Sequence, residues 1–284
     1  MKNRWIAISA LACALSAIAI AQPPAPDAGI TGIAHIAFRV SDLDREIAFL
    51  GKLGYEESFA ITNNGKTTEV FVKINDRQFI ELYPQTDASQ PLGWMHVCFE
   101  AGDLNALVNY YVSIGLKAAP VRKAGAGNLI SSMNDPEGRV TEFTQYMPGS
   151  RHTLDRGQHL GANRVSTELL GFDIPVNGLA AEKQFYIQLG FESEDNDGSV
   201  RLSAPGAPDV RLEMRPVHTG AQPEFLFPVP GARKAADALK ETGVKAERDG
   251  KLVFVHDPDG NAFVFLETGP AHKESLIPGK HKSE

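Results

Sequence analysis

Cysteine is scarce in this chain of 284 residues, which has only two, Cys13 and Cys98. Cys98 has no thiol neighbour in the sequence, which argues against a cysteine-rich metal site or a thiol-based catalytic centre. Clusters of Lys and Arg are also missing, and the formal net charge is −7, so nucleic acid is not expected as a partner. Beyond residue 21, no apolar run is long enough to span a membrane.

The first 21 residues have the pattern of a secretory signal peptide. A basic start precedes an apolar run over residues 5–20, which ends in the small-x-small sequence AIA (19–21). The run is short for a span and no basic stop follows it, so cleavage is favoured over a membrane anchor or a lipoprotein site at Cys13. We therefore expect an exported protein, periplasmic or extracellular, with no stable membrane insertion after cleavage and no internal disulfide.

A unit of strand, amphipathic helix, glycine and further strands occurs four times along the chain. In the first unit, Leu43, Ile47 and Leu50 recur at helical spacing and mark the buried face. Asp42 and Asp103 stand where the first two helices need N-caps. Each helix is followed by a glycine that fits the left-handed position at a helix end. These glycines are Gly54, Gly115, Gly190 and Gly243.

Short alternating runs after each glycine predict three more strands, so each unit is a βαβββ module. The second and fourth modules share an Asp-Pro-x-Gly turn, at 135–138 and 257–260, before their last strand. The pattern predicts an α+β fold of four duplicated modules that cover one another's apolar faces. The predicted segments are a signal peptide (1–21), a first domain (30–146), a linker (147–164), a second domain (165–270) and a flexible tail (271–284).

Two histidines and two glutamates occupy matching places in the first two modules. His35 and His96 lie in first strands and are 61 residues apart, and Glu81 and Glu142 lie in last strands with the same separation. Strand alternation directs Ile36 and its apolar neighbours toward the helix and His35 to the opposite face. If the two modules pair about a pseudo-two-fold axis, all four side chains converge.

Two imidazoles and two carboxylates suit one divalent transition metal, with Ni, Zn, Mn and Fe as the candidates. Such an ion would leave positions for substrate oxygens, and Glu142 or Glu81 could act as the catalytic base. The alternative is that each residue has a separate surface or core role, but the identical spacing of both pairs favours the metal site. His152 and His159, in the linker, are expected to be exposed or hydrogen-bonded rather than ligands.

These motifs resemble the vicinal oxygen chelate superfamily, which includes glyoxalase I, extradiol dioxygenases and fosfomycin-resistance proteins. The matching sequences are the paired strands HIAF and HVCF, the strand endings IEL and TEF, and the DPEG and DPDG turns. The resemblance implies two paired half-barrel domains and one metal held by His35, Glu81, His96 and Glu142, a set most like that of glyoxalase I. Dioxygenases of the family typically use two histidines and one glutamate, so Glu81 argues against that activity.

The second domain departs from this pattern because it has no imidazole at the matching positions. The residues there are Gly171, Glu213, Glu224 and Val264. We expect no catalytic metal in this half, which would instead complete a pocket wall or an internal interface; the alternative is an ion held by Glu213 and Glu224. Pairing of the first module with the fourth would give a poor site, so direct pairing of modules one and two is favoured.

The sequence therefore favours an exported, metal-dependent enzyme, a glyoxalase-like lyase or isomerase acting on a small molecule with vicinal oxygens. An Fe(II) extradiol-type dioxygenase is one alternative, and a binding protein without turnover is another. The protein is expected to be a monomer or a homodimer. The sequence does not determine the substrate or the native metal.

Overall fold

The computed structural model describes residues 29–218 and 221–268, which form two eight-stranded sheets connected by short helices. The predicted signal peptide (1–21) and tail (271–284) lie outside these residues. No helix within the described residues is long and apolar enough to cross a membrane.

The first half contains two βαβββ modules and a short helix after them. The first module comprises β1 (Ile30–Val40), α1 (Leu43–Lys52), β2 (Glu56–Asn63), β3 (Lys66–Lys73) and β4 (Phe79–Pro84). The second module comprises β5 (Gly93–Ala101), α2 (Leu104–Ser113), β6 (Arg122–Lys123), β7 (Leu129–Asn134) and β8 (Val140–Gln145). The short helix α3 (Arg151–Leu154) begins the segment that leads to the second half.

The second half repeats the same element order. The third module comprises β9 (Gly171–Val176), α4 (Leu179–Gln188), β10 (Glu192–Asn196), β11 (Ser199–Ala204) and β12 (Ala207–Pro216). The fourth module comprises β13 (Glu224–Val229), α5 (Ala232–Glu241), β14 (Ala246–Asp249), β15 (Leu252–His256) and β16 (Ala262–Glu267).

The strand order shows which modules pair. The first sheet runs β2-β3-β4-β1-β5-β8-β7-β6, so the antiparallel pair β1 and β5 joins modules one and two at its centre. The second sheet has the equivalent order, β10-β11-β12-β9-β13-β16-β15-β14. The predicted α+β fold with paired half-barrel sheets is confirmed, and the direct pairing of modules one and two is observed.

Local sequence signals position the first two helices. The carboxylate of Asp42 accepts a hydrogen bond from the backbone N–H of Arg45, and that of Asp103 accepts one from Ala106, each at 3.0 Å. Both satisfy donors that the first turn of a helix leaves unpaired. Gly54 follows α1 with φ of +85°, where a side chain would be strained. The caps and the glycine therefore act as predicted.

One continuous apolar core includes residues of both halves. The ring of Phe38 on β1 lies 4.9 Å from that of Phe225 on β13, and the ring of Phe99 on β5 lies 5.3 Å from that of Phe191. Aromatic contacts of this kind add to the free energy gained from burying the rings themselves. The helix-bearing faces of the two sheets thus pack together, which leaves the other face of the first sheet available for a site.

The two Asp-Pro-x-Gly turns tie the halves together reciprocally. Glu137, in the turn of the second module, accepts hydrogen bonds from the backbone N–H groups of Asn177 (2.6 Å) and Gly178 (2.8 Å), just before α4. Asp259, in the turn of the fourth module, accepts bonds from the N–H (2.7 Å) and hydroxyl (2.6 Å) of Ser41, just before α1. The acidic residue of each turn therefore holds the first helix of the opposite half.

A buried carboxyl group lies beside the second of these contacts. Glu46 on α1 is almost fully buried, and its Oε2 has no hydrogen-bond partner. Burial, reinforced by the nearby carboxylates of Asp257 and Asp259, raises the pKa of Glu46 from 4.5 to about 9. The group is therefore a neutral acid at pH 7.

We expect Glu46→Gln to stabilise the protein at pH 8 by roughly 4 kcal/mol and to have little effect at pH 5. Between pH 4.5 and 9 the folded protein keeps a proton that the unfolded chain has lost, so its stability falls as pH rises through this window. Glutamine mimics the protonated form at every pH. Urea unfolding at both pH values measures the effect, and Glu241→Gln, an exposed helical glutamate, is the control. Equal stability of variant and wild type at pH 8 would contradict the assignment.

Candidate metal centre

The sheet register brings the two predicted His/Glu pairs to one place. Ala37 on β1 lies beside Glu81 of β4 on one side and beside His96 of β5 on the other. Cys98 on β5 lies in the equivalent way between Glu142 of β8 and His35 of β1. A local pseudo-two-fold axis therefore passes between the antiparallel strands β1 and β5. In the sequence, this symmetry corresponds to the separation of 61 residues between the equivalent histidines and between the equivalent glutamates.

All four predicted ligand side chains meet at this axis. The Nε2 atoms of His35 and His96 are 3.1 Å apart. Glu81 Oε2 lies 3.1 Å from His35 Nε2 and 3.4 Å from His96 Nε2, and Glu142 Oε1 lies 3.5 Å from His35 Nε2. His35, Glu81 and His96 are buried, while Glu142 is partly exposed. The cluster is thus compact and opens to solvent on the side of Glu142.

The donor set fits a divalent cation. Two imidazole nitrogens face each other and a carboxylate oxygen, and no hydrogen bond of good geometry reaches the buried Glu81 Oε2. The hydroxyl of Tyr83 donates to the other oxygen, Oε1, at 2.9 Å, which orients the carboxylate as outer groups do around metal ligands. Nitrogen and oxygen ligands in this mixture suit a transition metal such as Zn, Mn, Fe or Ni.

Cys98, which strand alternation places on or near the ligand face, also lies at this centre. Its Sγ forms a second group of candidate ligand atoms with His35 and Glu142, all within 4.8 Å of one another. Burial, together with the carboxylates of Glu142 and Glu81, raises the pKa of the thiol well above its ordinary value. In the cluster as it stands, Cys98 is therefore a protonated, buried neighbour of the predicted ligands.

The ionisable groups of the cluster shift one another's pKa values. Burial opposes protonation of His35, but the carboxylates of Glu81 and Glu142 outweigh it and raise the pKa of the imidazole. Burial likewise opposes ionisation of Glu81, but His35 and His96 outweigh it and hold the pKa of the carboxyl group well below its ordinary value. Such an arrangement concentrates negative charge beside two nitrogen donors, as a cation site requires.

A cavity opens from the cluster between β3, β4, β8 and the segment after β8. Strand alternation in the sequence places eight further residues on or near the ligand face, namely Arg39, Phe79, Tyr83, Met95, Cys98, Glu100, Thr144 and Tyr146. Of these, Tyr83, Thr144 and Tyr146 line the cavity. Arg39 and Glu100 do not: Arg39 donates to the carbonyl of Pro91, and Glu100 pairs with Arg77. Strand alternation does not indicate the further lining residues, namely Glu69, Phe71, Arg122, Asn128 and His152.

His152 is, with Asn128, one of two buried polar residues among these further lining residues. It lies on α3 with 4% of its surface exposed, and the rings of Phe59, Phe71 and Phe79 surround it at 4.7–4.9 Å, nearly perpendicular to the imidazole. Burial lowers its pKa to about 3, with a further contribution from the positive charge of His35. The expectation of a hydrogen-bonded His152 is met through Asn128, whereas an exposed position is ruled out. His159 is exposed and pairs with Asp155.

The segment that carries His152 is fastened to the first sheet by a buried ion pair. Lys73 is fully buried, and its Nζ lies 2.9 Å from Asp155 Oδ2, 2.6 Å from the Asp155 carbonyl and 2.8 Å from Asp76 Oδ1. Ser58 donates to the same Asp155 oxygen at 2.6 Å. The stretch that reads as a linker thus forms one wall of the cavity.

In the second half, the guanidinium group of Arg215 lies at the position that corresponds to the His/Glu cluster of the first half. By strand register, Asp173 takes the place of Ala37, with Glu213 and Glu224 beside it. Arg215 lies beside two of them, with Nε 3.0 Å from Asp173 and Nη2 3.5 Å from Glu224, while Glu213 lies 3.9 Å from Nη2 of Arg201. A Cβ at Gly171, the counterpart of His35, would overlap the carbonyl oxygen of Arg211. The positive charge of Arg215 therefore offsets the negative charges of Asp173 and Glu224.

Comparisons with known proteins agree with this architecture. Residues 32–143 match the model of the Glyoxalase/Bleomycin resistance protein/Dioxygenase superfamily. A search of curated proteins finds no match. Solved structures of low sequence identity share the fold across most of the chain.

Three of these structures illustrate the range. A catechol 2,3-dioxygenase aligns with TM-score 0.66 and 15% identity over 86% of this chain and 91% of its own. The 2,3-dioxygenase LapB from Pseudomonas sp. KL28 aligns with TM-score 0.65 and 17% identity over 85% and 93%. A Mn(II)-bound glyoxalase from Novosphingobium aromaticivorans aligns with TM-score 0.62 and 16% identity over 84% and 82%. At such identities the likeness establishes the fold and leaves the reaction open.

Proposed function

We propose that this chain, whose residues 32–143 match the model of the Glyoxalase/Bleomycin resistance protein/Dioxygenase superfamily, is an exported metal-dependent enzyme of that superfamily. It acts as a glyoxalase-like lyase or isomerase on a small substrate with vicinal oxygens. Export is inferred from the signal-peptide pattern of residues 1–21. The substrate enters the cavity beside the cluster of His35, Glu81, His96 and Glu142.

The observation that carries this proposal is the convergence of two duplicated His/Glu pairs on one point. His35, His96, Glu81 and Glu142 would hold the cation, which when bound polarises a carbonyl oxygen and stabilises the charge that develops on it. A set of four separate structural roles would not require the imidazole nitrogens to face each other at 3.1 Å in a buried site.

The side chains around the cavity have separate roles in the proposed reaction. Glu142 is the more accessible carboxylate, with 17% of its side chain exposed against 5% for Glu81, and it lines the cavity. We assign it the role of base, which accepts a proton from the carbon beside the substrate carbonyl. Glu81, whose carboxylate accepts a hydrogen bond from Tyr83, is assigned the role of a metal ligand that supplies negative charge and helps to position the cation. Phe71 and Tyr146 line the cavity with apolar surface, which limits access of water to the reacting atoms.

A ring-cleaving dioxygenase is the second candidate. Two of the similar solved structures are 2,3-dioxygenases, and aromatic residues line the cavity, which suits a flat ring. Against it stands Glu81, whose carboxylate reaches both imidazoles and adds a fourth donor. The two activities differ in their need for oxygen, so they can be separated by experiment.

Turnover of two substrate classes tests the proposal. We expect the natively purified protein to convert hemithioacetals of 2-oxoaldehydes, or related 2-hydroxycarbonyl compounds, without oxygen consumption. Glu142→Gln is expected to lower kcat by 10²- to 10⁴-fold, the range for loss of a catalytic base. Product formation and oxygen uptake are measured together.

Glu57→Gln, a change at an exposed glutamate of β2, is the control for the loss of one carboxylate. Oxygen uptake with catechols and formation of ring-opened products would replace the lyase assignment by the dioxygenase. Tight binding of these compounds without turnover of any class would favour a ligand-binding protein.

A further inference from the structure

The imidazole of His152 has a fixed tautomer, which follows from its hydrogen-bond partners. The backbone N–H of Met147 donates to Asn128 Oδ1 at 3.1 Å, so the amide oxygen of Asn128 faces Met147. The amide Nδ2 of Asn128 then faces His152 Nδ1 at 2.9 Å and can only donate. Nδ1 must therefore be an acceptor, and the neutral ring carries its proton on Nε2.

That proton has no acceptor among the described residues. His152 Nε2 is buried and lacks a hydrogen-bond partner, although leaving a buried donor unpaired costs about 1–3 kcal/mol. Three phenylalanine rings around the imidazole fix its plane. Because His152 and Asn128 both line the cavity beside the cluster, a molecule bound there is positioned to supply the missing acceptor.

We infer that the Nε2–H of His152 is a fixed hydrogen-bond donor to an oxygen of the substrate. The inference rests on the proposed function, and it adds one requirement to the substrate. Besides the vicinal oxygens that face the cluster, the substrate presents an acceptor oxygen, such as a carbonyl, phenolate or carboxylate oxygen, to α3. The lowered pKa of His152 agrees with a neutral donor. The residue therefore binds and orients the substrate without carrying charge into an apolar pocket.

Two variants remove this donor in different ways. His152→Phe keeps a flat ring among the phenylalanines and deletes the N–H. Asn128→Asp leaves His152 in place but offers a carboxylate to Nδ1, so that Nδ1 becomes the donor and the neutral ring has a lone pair at Nε2. The aspartate can still accept the bond from Met147. His256→Phe, at an exposed position of the second half, is the control.

Anaerobic titration with 4-nitrocatechol, followed by its absorbance, measures the effect without turnover. The probe carries vicinal oxygens on a ring, and metal content and thermal stability are measured for each variant alongside. We expect both donor-removing variants to bind the probe about 10-fold more weakly than wild type, the effect of one hydrogen bond, with metal retained. The control is expected to bind it as wild type does.

The outcomes separate this inference from the function on which it rests. Unchanged affinity in either donor-removing variant, with metal retained, overturns the inference and leaves the proposed function standing; the Nε2–H then faces an aromatic ring instead. Wild-type protein that binds neither metal nor probe overturns the proposed function, and the inference falls with it.

Discussion

Replacing His35 or His96 with alanine is expected to remove the bound metal from natively purified protein, from about one ion per chain to less than a tenth. Each change deletes one of two facing imidazoles, whose Nε2 atoms are 3.1 Å apart. Changes to groups that merely orient metal ligands typically cost 10- to 100-fold in affinity, so the loss of a ligand is expected to exceed about 100-fold. Elemental analysis after gel filtration measures the content directly.

His256→Ala is the matched control for this experiment. His256 is exposed at the end of β15 in the second half, and its removal is expected to leave the metal content unchanged. Full occupancy in both His35→Ala and His96→Ala would refute the assignment of these residues as ligands. Loss of metal in the control as well would place the ion elsewhere in the chain.

Asp155→Ala is expected to lower the free energy of unfolding by about 3 kcal/mol, because it leaves the buried ammonium of Lys73 with a single carboxylate partner, Asp76. Breaking a buried ion pair from one side costs more than the pair itself contributes, since the remaining charge has lost both water and its counter-charge. The loss of the Ser58 bond acts in the same direction. Urea denaturation measures the change.

Lys73→Met and the double variant Lys73→Met/Asp155→Ala complete a double-mutant cycle. The double variant is expected to be more stable than Asp155→Ala alone, because it no longer has a buried ammonium that has lost one of its two carboxylate partners. Strictly additive effects would show that the two groups act independently and would contradict the buried pair. Because Asp155 also fastens the segment that bears His152, the single variant is expected to loosen that cavity wall.

Much of the architecture could be predicted because its signals are local or duplicated. Asp42 and Gly54 act within one helix, so their chemistry is visible in a few neighbouring residues. The His/Glu pairs are far apart in sequence, but the constant separation of 61 residues encodes the pseudo-two-fold axis. Once strand alternation fixed the direction of His35, the symmetry placed the other three side chains.

The remaining features depend on contacts that no local pattern encodes. His152 lies on a four-residue helix without an apolar period, and its burial results from phenylalanines of other strands. Arg215 follows Glu213 in an ordinary alternating strand, and only the register with Asp173 reveals its place. The helical pattern of α1 places Glu46 outside the apolar face and predicts that it is exposed. The structure buries it beside the turn at 257–260, near the other end of the chain.

The reciprocal turns also set an order of events during synthesis on the ribosome. Glu137 precedes its partner Asn177 by 40 residues, so it is already in place when α4 emerges. Ser41, in contrast, can form its hydrogen bond only after Asp259, 218 residues later, has been synthesised. A nascent chain can thus dock its second half onto a first half whose strands and helices have already been synthesised, following the usual amino-to-carboxyl progression. The half that carries the candidate metal centre therefore gains its contact at Ser41 only after the turn at 257–260 has been made.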